Sequence, residues 1–392
     1  MPGQYMVDYE DRVDFGRLRR LRLDKARKAM DDFGVEVLVA FDANNIRYIT
    51  GTFGNPSPTL AAARYCVLAK GHEPILFELG GDLERQKVCA PWLGDRIRPS
   101  VPLTFLPRTL TGEWGRLIRG VLKDLGVRTD RIALDRLDFR VQEEARLAGL
   151  EITDDGGAMM EARRVKLPDE IECIRLSVAL ADAALEVVRS NIRPGVRECD
   201  VQGDVLRELT RNCCWLYAGG GNFASGDHTH PYWRLLFTDR ILHDGDLVII
   251  DRVHNHNGYG CDYVRTFLVG DRATDEQKAL YKRCHDSMWA GIEAVKPGAT
   301  SADIAGRWNE PDDYSETTLD FAHSVGMSTH EPPFITASSK EHPVPIEPNM
   351  VLAVETYAGE GGQGVRLEEN LIVTETGYEI ISRFPHEAKL MR

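Results

Sequence analysis

The feature that most constrains this chain is a pair of acidic residues placed symmetrically about a turn. Asp251 ends one apolar run and Asp262 begins the next, with His254–Gly258 between them. Apolar runs on both sides of a short turn predict a buried β-hairpin. If the hairpin is symmetric about its midpoint, the two carboxylates lie directly opposite each other, with Cβ atoms roughly 5 Å apart.

A second acidic pair follows about a hundred residues later in the same arrangement. Glu355 and Glu368 lie in apolar runs, and their midpoint falls on Gly361-Gly362. Two pairs of like charges in apolar strands are costly without a compensating cation. Two metal ions about 3.5–4 Å apart would neutralise such a cluster. The sequence therefore predicts a dinuclear metal site.

An internal repeat relates the two hairpins. The step from Pro194 to Asp200 recurs from Pro297 to Asp303, and a helix-like stretch precedes each step. A repeat length of roughly a hundred residues is too long for a solenoid. It predicts a duplicated half-domain of helices and strands, with the hairpins meeting across a pseudo-twofold axis. The expected fold class is α+β.

Charge and composition limit the partners and the compartment. The formal net charge is −13 and the pI is near 5.4, which argues against nucleic acid or an anionic membrane as the main partner. The eight cysteines show no CxxC spacing, so reduced, mostly buried thiols are expected. A signal-peptide pattern and an apolar run of about 20 residues are both missing from the sequence, and the expected location is cytoplasmic.

The chain is predicted to contain two domains. Residues 1–160 alternate strand-like and helix-like stretches, which indicates an α/β domain, with Asp42–Asn45 expected to form a turn. The charged segment Glu161–Lys166 is interpreted as a linker. Pro168 with acids just after it is typical of a helix start. Residues 161–392 are then one domain that holds the repeat and the acidic hairpins.

The segment between the hairpins supplies a motif specific enough to suggest a family. It contains His323, then Gly326, then His330 followed by Glu-Pro, and the second hairpin carries Arg366-Leu-Glu. With the four acids, this pattern resembles the pita-bread metallopeptidases: methionine aminopeptidase, proline dipeptidase, aminopeptidase P and creatinase. The resemblance covers residues 161–392. The first 160 residues resemble, more weakly, the N-terminal domain that accompanies the creatinase-type members.

The resemblance implies a set of metal ligands. They are Asp251, Asp262, His323, Glu355 and Glu368, with Asp262 and Glu368 bridging two divalent ions. One histidine with four carboxylates is an oxygen-rich set. Mn²⁺ is the expected ion, with Co²⁺, Zn²⁺ or Fe as alternatives.

The resemblance also implies catalytic roles. Glu355 would act as general base, and His330 would hydrogen-bond the substrate carbonyl or the oxyanion that develops from it. His230 matches the family's substrate-facing histidine, with His228 as the competing candidate. Arg366 would support the acidic ligands. A homodimer and a small-molecule or short-peptide substrate are expected on the same basis.

Departures from the family pattern leave the reaction open. Thr356-Tyr357 stands where the peptidases usually have Pro-Gly, and Leu319 stands where many proline-specific members have another histidine. The first ligand is followed by Arg-Val where the family often has x-Gly. The glycine-rich loop after Tyr357 is more similar to dimethylsulfoniopropionate lyases of the same fold, although those lyases lack the histidine matched by His330.

Three hypotheses follow. The first is a dinuclear metallohydrolase of the Xaa-Pro peptidase type acting on a small peptide or amide. The second is a metal-dependent lyase or a non-peptide amide or amidine hydrolase on the same fold. The third is a metal-free binding protein, since a fold does not determine function.

Overall fold

The computed structural model describes most of the chain, in two compact units. The described residues are 13–54, 62–103, 111–136, 138–212, 214–216, 221–232, 236–308 and 321–392. The units are Met1–Arg163 and Arg164–Arg392.

The first unit alternates helices with the strands of one sheet. Its elements are α1 (Phe15–Asp32), β1 (Val37–Ala40), α2 (Ala43–Thr50), β2 (Tyr65–Ala69), β3 (Ile75–Glu78), α3 (Gly80–Cys89), β4 (Ile97–Pro99), α4 (Glu113–Asp124), β5 (Arg131–Leu134), α5 (Phe139–Leu147), β6 (Glu151–Asp154) and α6 (Ala158–Arg164). The six strands lie in the order β4-β3-β2-β1-β5-β6. Apolar side chains of β1, β2, β3 and β5 pack against α4 and α5 to form its core.

One local prediction in this unit is wrong. The segment expected to be the turn Asp42–Asn45 begins α2, because the Asp42 carboxylate accepts hydrogen bonds from the backbone N–H of Asn44 and Asn45. A side chain that satisfies these first N–H groups favours a helix start. Asp135 accepts hydrogen bonds from the Phe41 N–H and the Asn45 amide, and burial raises the pKa of Asp135 to about 6.

The second unit contains two long hairpins surrounded by helices. Its elements are α7 (Pro168–Asn191), α8 (Glu198–Arg211), β7 (Trp215–Leu216), β8 (Phe223–Ser225), β9 (Leu247–His256), β10 (Tyr259–Leu268), α9 (Asp275–Glu293), α10 (Ser301–Ala305), β11 (Ala322–Ser324), β12 (Glu331–Ile335), β13 (Val351–Glu360), β14 (Gln363–Val373), β15 (Tyr378–Ile380) and α11 (Ala388–Met391). One sheet has the order β10-β9-β7, with β8 also paired to β9, and the other has the order β12-β11-β13-β14-β15.

The internal repeat is visible in the backbone as well as in the element order. In each half a long helix, a short helix and a long hairpin follow one another. In each half, the residue before the short helix forms an isolated antiparallel β-bridge with the segment that precedes the hairpin. The bridges are Arg197 with Ile241 in the first half and Thr300 with Pro345 in the second. The mixed helices and strands confirm the expected α+β fold, and the repeated element order with the equivalent bridges supports a duplicated half-domain.

The register of the hairpins corrects one prediction and confirms another. Glu355 lies directly opposite Glu368, as expected. Asp251 lies opposite Val264 instead of Asp262, so the predicted direct pairing of the two aspartates is wrong. The reason is a two-residue turn at Asn257-Gly258, where both residues have positive φ. Because the offset is two residues, the aspartates still share one face of the hairpin.

The described part of the chain contains neither a disulfide nor a helix suited to crossing a membrane. Its seven cysteines form no disulfide with one another, and five of them are buried. None of the described helices combines the length and the apolar character that a membrane span requires.

Candidate metal centre

The five proposed ligands converge from five strands of the second unit. Asp251 lies on β9, Asp262 on β10, His323 on β11, Glu355 on β13 and Glu368 on β14. All five are almost completely buried, with at most 4% of their surface exposed. The hairpins bring them together because β10 lies beside β14 although the two strands belong to different sheets.

The side-chain nitrogen and oxygen atoms of these residues lie close enough together to share metal ions. The Nε2 atom of His323 lies 3.6 Å from an oxygen of Asp262 and 3.8 Å from oxygens of Glu355 and Glu368. Two overlapping groups each offer three ligand atoms within 4.8 Å of one another. They are Asp251, Asp262 and Glu368, and His323, Glu355 and Glu368.

Several of these donor atoms have no hydrogen-bond partner within the protein. They are Oδ1 of Asp251, Oδ1 of Asp262, Nε2 of His323 and both carboxylate oxygens of Glu368. Leaving one buried polar atom unsatisfied costs about 1–3 kcal/mol, so five of them in one cluster need a common partner. One imidazole and several carboxylate oxygens are a donor set that Mn²⁺, Fe or Zn²⁺ accepts. The residues present therefore fit two divalent cations.

Arg366 holds two of the candidate ligands from one side. Its guanidinium donates to Oδ2 of Asp251 over 2.6 Å and to Oε2 of Glu355 over 2.9 Å. Asn222 donates to the same Asp251 oxygen over 3.0 Å. Each carboxylate therefore has one oxygen committed, and the other oxygen is left for the centre. Four carboxylates and one guanidinium carry three negative charges, and two divalent cations bring the cluster within one unit of neutrality.

Burial and mutual repulsion change the acidity of the cluster. Burial, then the charges of Glu368, Asp251 and Glu355, raise the pKa of Asp262 well above its usual value. Burial and the neighbouring Glu355 do the same to the pKa of Glu368. Burial and the nearby His330 lower the pKa of His323 to about 3. Metal ligands must be deprotonated, so cations and protons compete for the two carboxylates, whereas the imidazole is already neutral.

His330 lies on the open side of the cluster. Its ring stacks on His323 with centroids 4.0 Å apart, and its Nε2 atom is 3.8 Å from Oδ2 of Asp262. The side chain is 52% exposed, in contrast to the buried ligands. His330, His323 and Asp262 also form a third group with metal-ligand geometry. At this position His330 can contact a substrate, and it can also coordinate a metal ion.

The two histidines that compete for a substrate-facing role have different surroundings. The Nδ1 atom of His230 lies 2.8 Å from the hydroxyl of Tyr357, which is two residues after Glu355 on β13. The Nδ1 atom of His228 lies 3.9 Å from the buried carboxylate of Glu198. The contact with the hairpin that carries Glu355 favours His230 over His228.

A contact between two buried residues near the site was not anticipated from the sequence. Lys166 was predicted to lie in a linker, but α6 occupies most of that segment, and the buried ammonium contacts Glu331 over 3.2 Å. Lys166 also donates to the hydroxyl of Ser324, next to His323. Glu331 accepts from the Ser328 N–H, so the pair braces the loop that follows His323 and carries His330. The partners are more than 150 residues apart in the chain, so no local sequence pattern predicts the contact.

Replacing Arg366 by methionine is expected to weaken metal binding roughly 10–100-fold, because groups that orient ligand carboxylates have effects of that size. The unpaired carboxylates should also destabilise the metal-free protein by about 3–5 kcal/mol. Isothermal titration with Mn²⁺ and urea unfolding of the metal-free protein measure the two effects. Arg64→Met is the matched control, because it removes the arginine of a buried ion pair with Glu78 in the first unit. Unchanged metal affinity in Arg366→Met would contradict the proposed bracing role.

Similarities to known proteins cover both units. The model of metallopeptidase family M24 matches residues 172–375, and the model of the creatinase/prolidase N-terminal domain matches residues 22–165. Dimethylsulfoniopropionate lyase DddP of Roseovarius nubinhibens is 24% identical over 96% of this chain and 88% of its own length. The uncharacterized peptidase YqhT of Bacillus subtilis is 24% identical over 94% of this chain and 99% of its own length.

Solved structures agree with the fold. The Xaa-Pro dipeptidase from Bacillus anthracis superposes with a TM-score of 0.76 at 22% identity, covering 93% of this chain and 98% of its own. The prolidase from Pyrococcus horikoshii OT3 gives a TM-score of 0.74 at 20% identity, covering 93% and 99%. Leu319, a departure noted in the sequence, lies outside the described residues. Since the M24 model matches more than half of its residues, the chain belongs to metallopeptidase family M24 and carries a creatinase/prolidase N-terminal domain before its pita-bread domain.

Proposed function

We propose that the protein is a dinuclear metal-dependent hydrolase of the Xaa-Pro peptidase type that acts on a small peptide or amide. The observation that carries this proposal is the set of buried, unpartnered donor atoms on Asp251, Asp262, His323 and Glu368. A metal-free binding protein would leave those atoms uncompensated, which makes that hypothesis the weakest of the three.

The residues divide the work of hydrolysis among them. Asp251, Asp262 and Glu368 would hold one divalent cation, and Asp262, His323, Glu355 and Glu368 would hold the other. When bound, the two cations polarise a carbonyl and acidify a water molecule. Arg366 donates to Oε2 of Glu355 and fixes this carboxylate, which would take a proton from the attacking water as general base.

His330 completes the proposed reaction. It lies on the exposed side of the cluster, 3.8 Å from Asp262, where a substrate carbonyl would approach. A donor at this position stabilises the negative charge that develops on the carbonyl oxygen during addition of water. This role depends on addition chemistry, which separates a hydrolase from a lyase.

A lyase is the second candidate, and two observations favour it. The similarity to the lyase DddP extends over 96% of this chain, and Thr356-Tyr357 replaces the Pro-Gly usual in the peptidases. Elimination requires a base that removes a proton while a leaving group departs, and no water enters the product. Glu355 could serve as that base, but elimination gives His330 no developing carbonyl oxyanion to stabilise.

Turnover in ¹⁸O-labelled water is expected to distinguish the two reactions. Candidate substrates are dipeptides with and without proline, small amides and amidines, and small sulfonium compounds. Hydrolysis should place the label in one product, detected by mass spectrometry, because water is a reactant. An unsaturated product without label would show that the protein is a lyase. The Glu368→Gln variant serves as the inactive control for background hydrolysis.

Several finer expectations from the sequence stay predictions. Mn²⁺ is the ion we expect, and elemental analysis of protein purified without added metal would identify it. The homodimer can be checked by sedimentation, and the cytoplasmic location by cell fractionation.

A further inference from the structure

The turn that carries His230 lies in very close contact with the second acidic hairpin, β13–β14. Gly359 and Gly364 are cross-strand partners on β13 and β14. A Cβ atom at Gly359 would lie 2.1 Å from Nδ1 of His230, and one at Gly364 would lie 2.1 Å from the carbonyl oxygen of Thr229. Any side chain at either position would push the turn away. The two glycines therefore make room for a specific contact.

Hydrogen bonds hold Thr229 in place within this contact. Its hydroxyl donates to the carbonyl of Gly226 over 2.5 Å and accepts from the N–H of Gly364 over 2.9 Å. Its carbonyl oxygen lies 2.8 Å from the hydroxyl of Tyr357. Thr229 and Tyr357 are both buried, so the contact is shielded from water.

Counting protons assigns the direction of each hydrogen bond. The hydroxyl of Tyr357 lies 2.8 Å from the carbonyl oxygen of Thr229 and 2.8 Å from Nδ1 of His230. The carbonyl oxygen can only accept, so it takes the single proton of the hydroxyl. The tyrosine oxygen must then accept from Nδ1 of His230, which carries the ring proton. In a neutral imidazole with Nδ1 protonated, Nε2 holds a lone pair.

We propose that Tyr357 is a positioning residue that fixes His230 in the Nδ1-protonated form and so presents Nε2 as a hydrogen-bond acceptor. The inference about the substrate rests on the proposed function and on the substrate-facing position that the family resemblance implies for His230. An acceptor at Nε2 recognises an N–H donor, such as a secondary amide or an amine. The nitrogen of an Xaa-Pro bond belongs to a tertiary amide and has no hydrogen to donate. With Nε2 facing the scissile nitrogen, the preferred substrate is a small secondary amide or a peptide without proline after the scissile bond, so the protein would share its metal chemistry and not its substrate with the Xaa-Pro peptidases.

The protonation of His230 can be measured directly. Ring-¹⁵N histidine is incorporated into the full chain, which is loaded with diamagnetic Zn²⁺, and the His230 signals are identified by their loss in His230→Gln. We expect a protonated Nδ1 and an unprotonated Nε2 in the unaltered protein at neutral pH. In Tyr357→Phe the ring should shift toward the Nε2-protonated form. Tyr259→Phe is the control, since it removes a buried tyrosine hydroxyl that bonds to Glu170 elsewhere in the same unit.

An Nε2-protonated His230 in the unaltered protein would overturn the proposal, as would a ring form that Tyr357→Phe leaves unchanged. The inference about substrate has its own measurement. A dipeptide and its N-methylated analogue at the scissile nitrogen differ only in the hydrogen-bond donor, and kcat/KM should favour the N–H form. That preference should shrink in Tyr357→Phe and persist in Tyr259→Phe. Hydrolysis of neither compound, together with the expected ring form, would count against the proposed function and leave the role of Tyr357 supported.

Discussion

Replacing Glu368 by glutamine should remove both metal ions and reduce turnover below detection. The residue belongs to two of the three groups of converging ligand atoms, and both of its carboxylate oxygens lack a partner within the protein. A neutral amide of the same shape cannot bridge two cations. The measurement is the metal content per chain by elemental analysis, after dialysis of the variant and the unaltered protein side by side.

Glu369→Gln is the matched control for this experiment. The two glutamates are neighbours on β14, both are buried, and successive side chains of a strand point to opposite faces. Glu369 contacts Arg265 over 2.6 Å, so its replacement should lower stability while leaving the metal content unchanged. Full occupancy of both metals in Glu368→Gln would refute the dinuclear model. Loss of metal in both variants would indicate a general structural effect.

Replacing His330 by alanine should lower kcat by roughly 10²–10³-fold, the size of effect seen when one donor to a developing oxyanion is removed. The metal content and the fold should not change, because the side chain is 52% exposed and lies outside the buried ligand set. Steady-state kinetics on the substrate identified by the ¹⁸O screen, together with elemental analysis, provide both measurements.

The alternative role of His330 is that of a metal ligand, since it forms a ligand-like group with Asp262 and His323. Loss of metal together with activity in His330→Ala would assign it that role. His330→Gln refines the distinction, because glutamine keeps an N–H donor near the same position. Partial recovery of kcat in that variant, with unchanged metal content, supports oxyanion stabilisation.

The sequence alone was sufficient to place the acidic hairpins, and its one error there has a clear cause. Symmetry about the midpoint predicted the register of Glu355 and Glu368 correctly because their turn is centred on Gly361-Gly362. The same rule failed for Asp251 and Asp262, where the turn is not at the midpoint. Asn-Gly is the strongest short signal for a two-residue hairpin turn, and Asn257-Gly258 would have given the register.

The contacts that support the site could not be predicted from local sequence patterns, and the expectation that Arg366 supports the acidic ligands came from the family resemblance alone. The guanidinium of Arg366 reaches Asp251 across 115 residues of chain, and Tyr357 reaches Thr229 across 128. Local propensity and periodicity carry no information about such pairs. Tyr357 was visible in the sequence only as a departure from the peptidase pattern. Its role became apparent only when the structure placed it between Thr229 and His230.

The seam between β10 and β14 has a consequence for how the protein keeps its shape. The strands lie in different sheets, and side chains link them, as when Asn370 donates to the carbonyl of Asp262 and Thr266 to the carbonyl of Arg366. Metal ions held by carboxylates from both hairpins would cross-link the two sheets at this contact. A ligand at a hundred times its dissociation constant adds about 2.7 kcal/mol to folding stability. Without metal, the contact between the duplicated halves would be less stable and the protein would be inactive. Folding stability and activity would therefore both depend on the metal concentration.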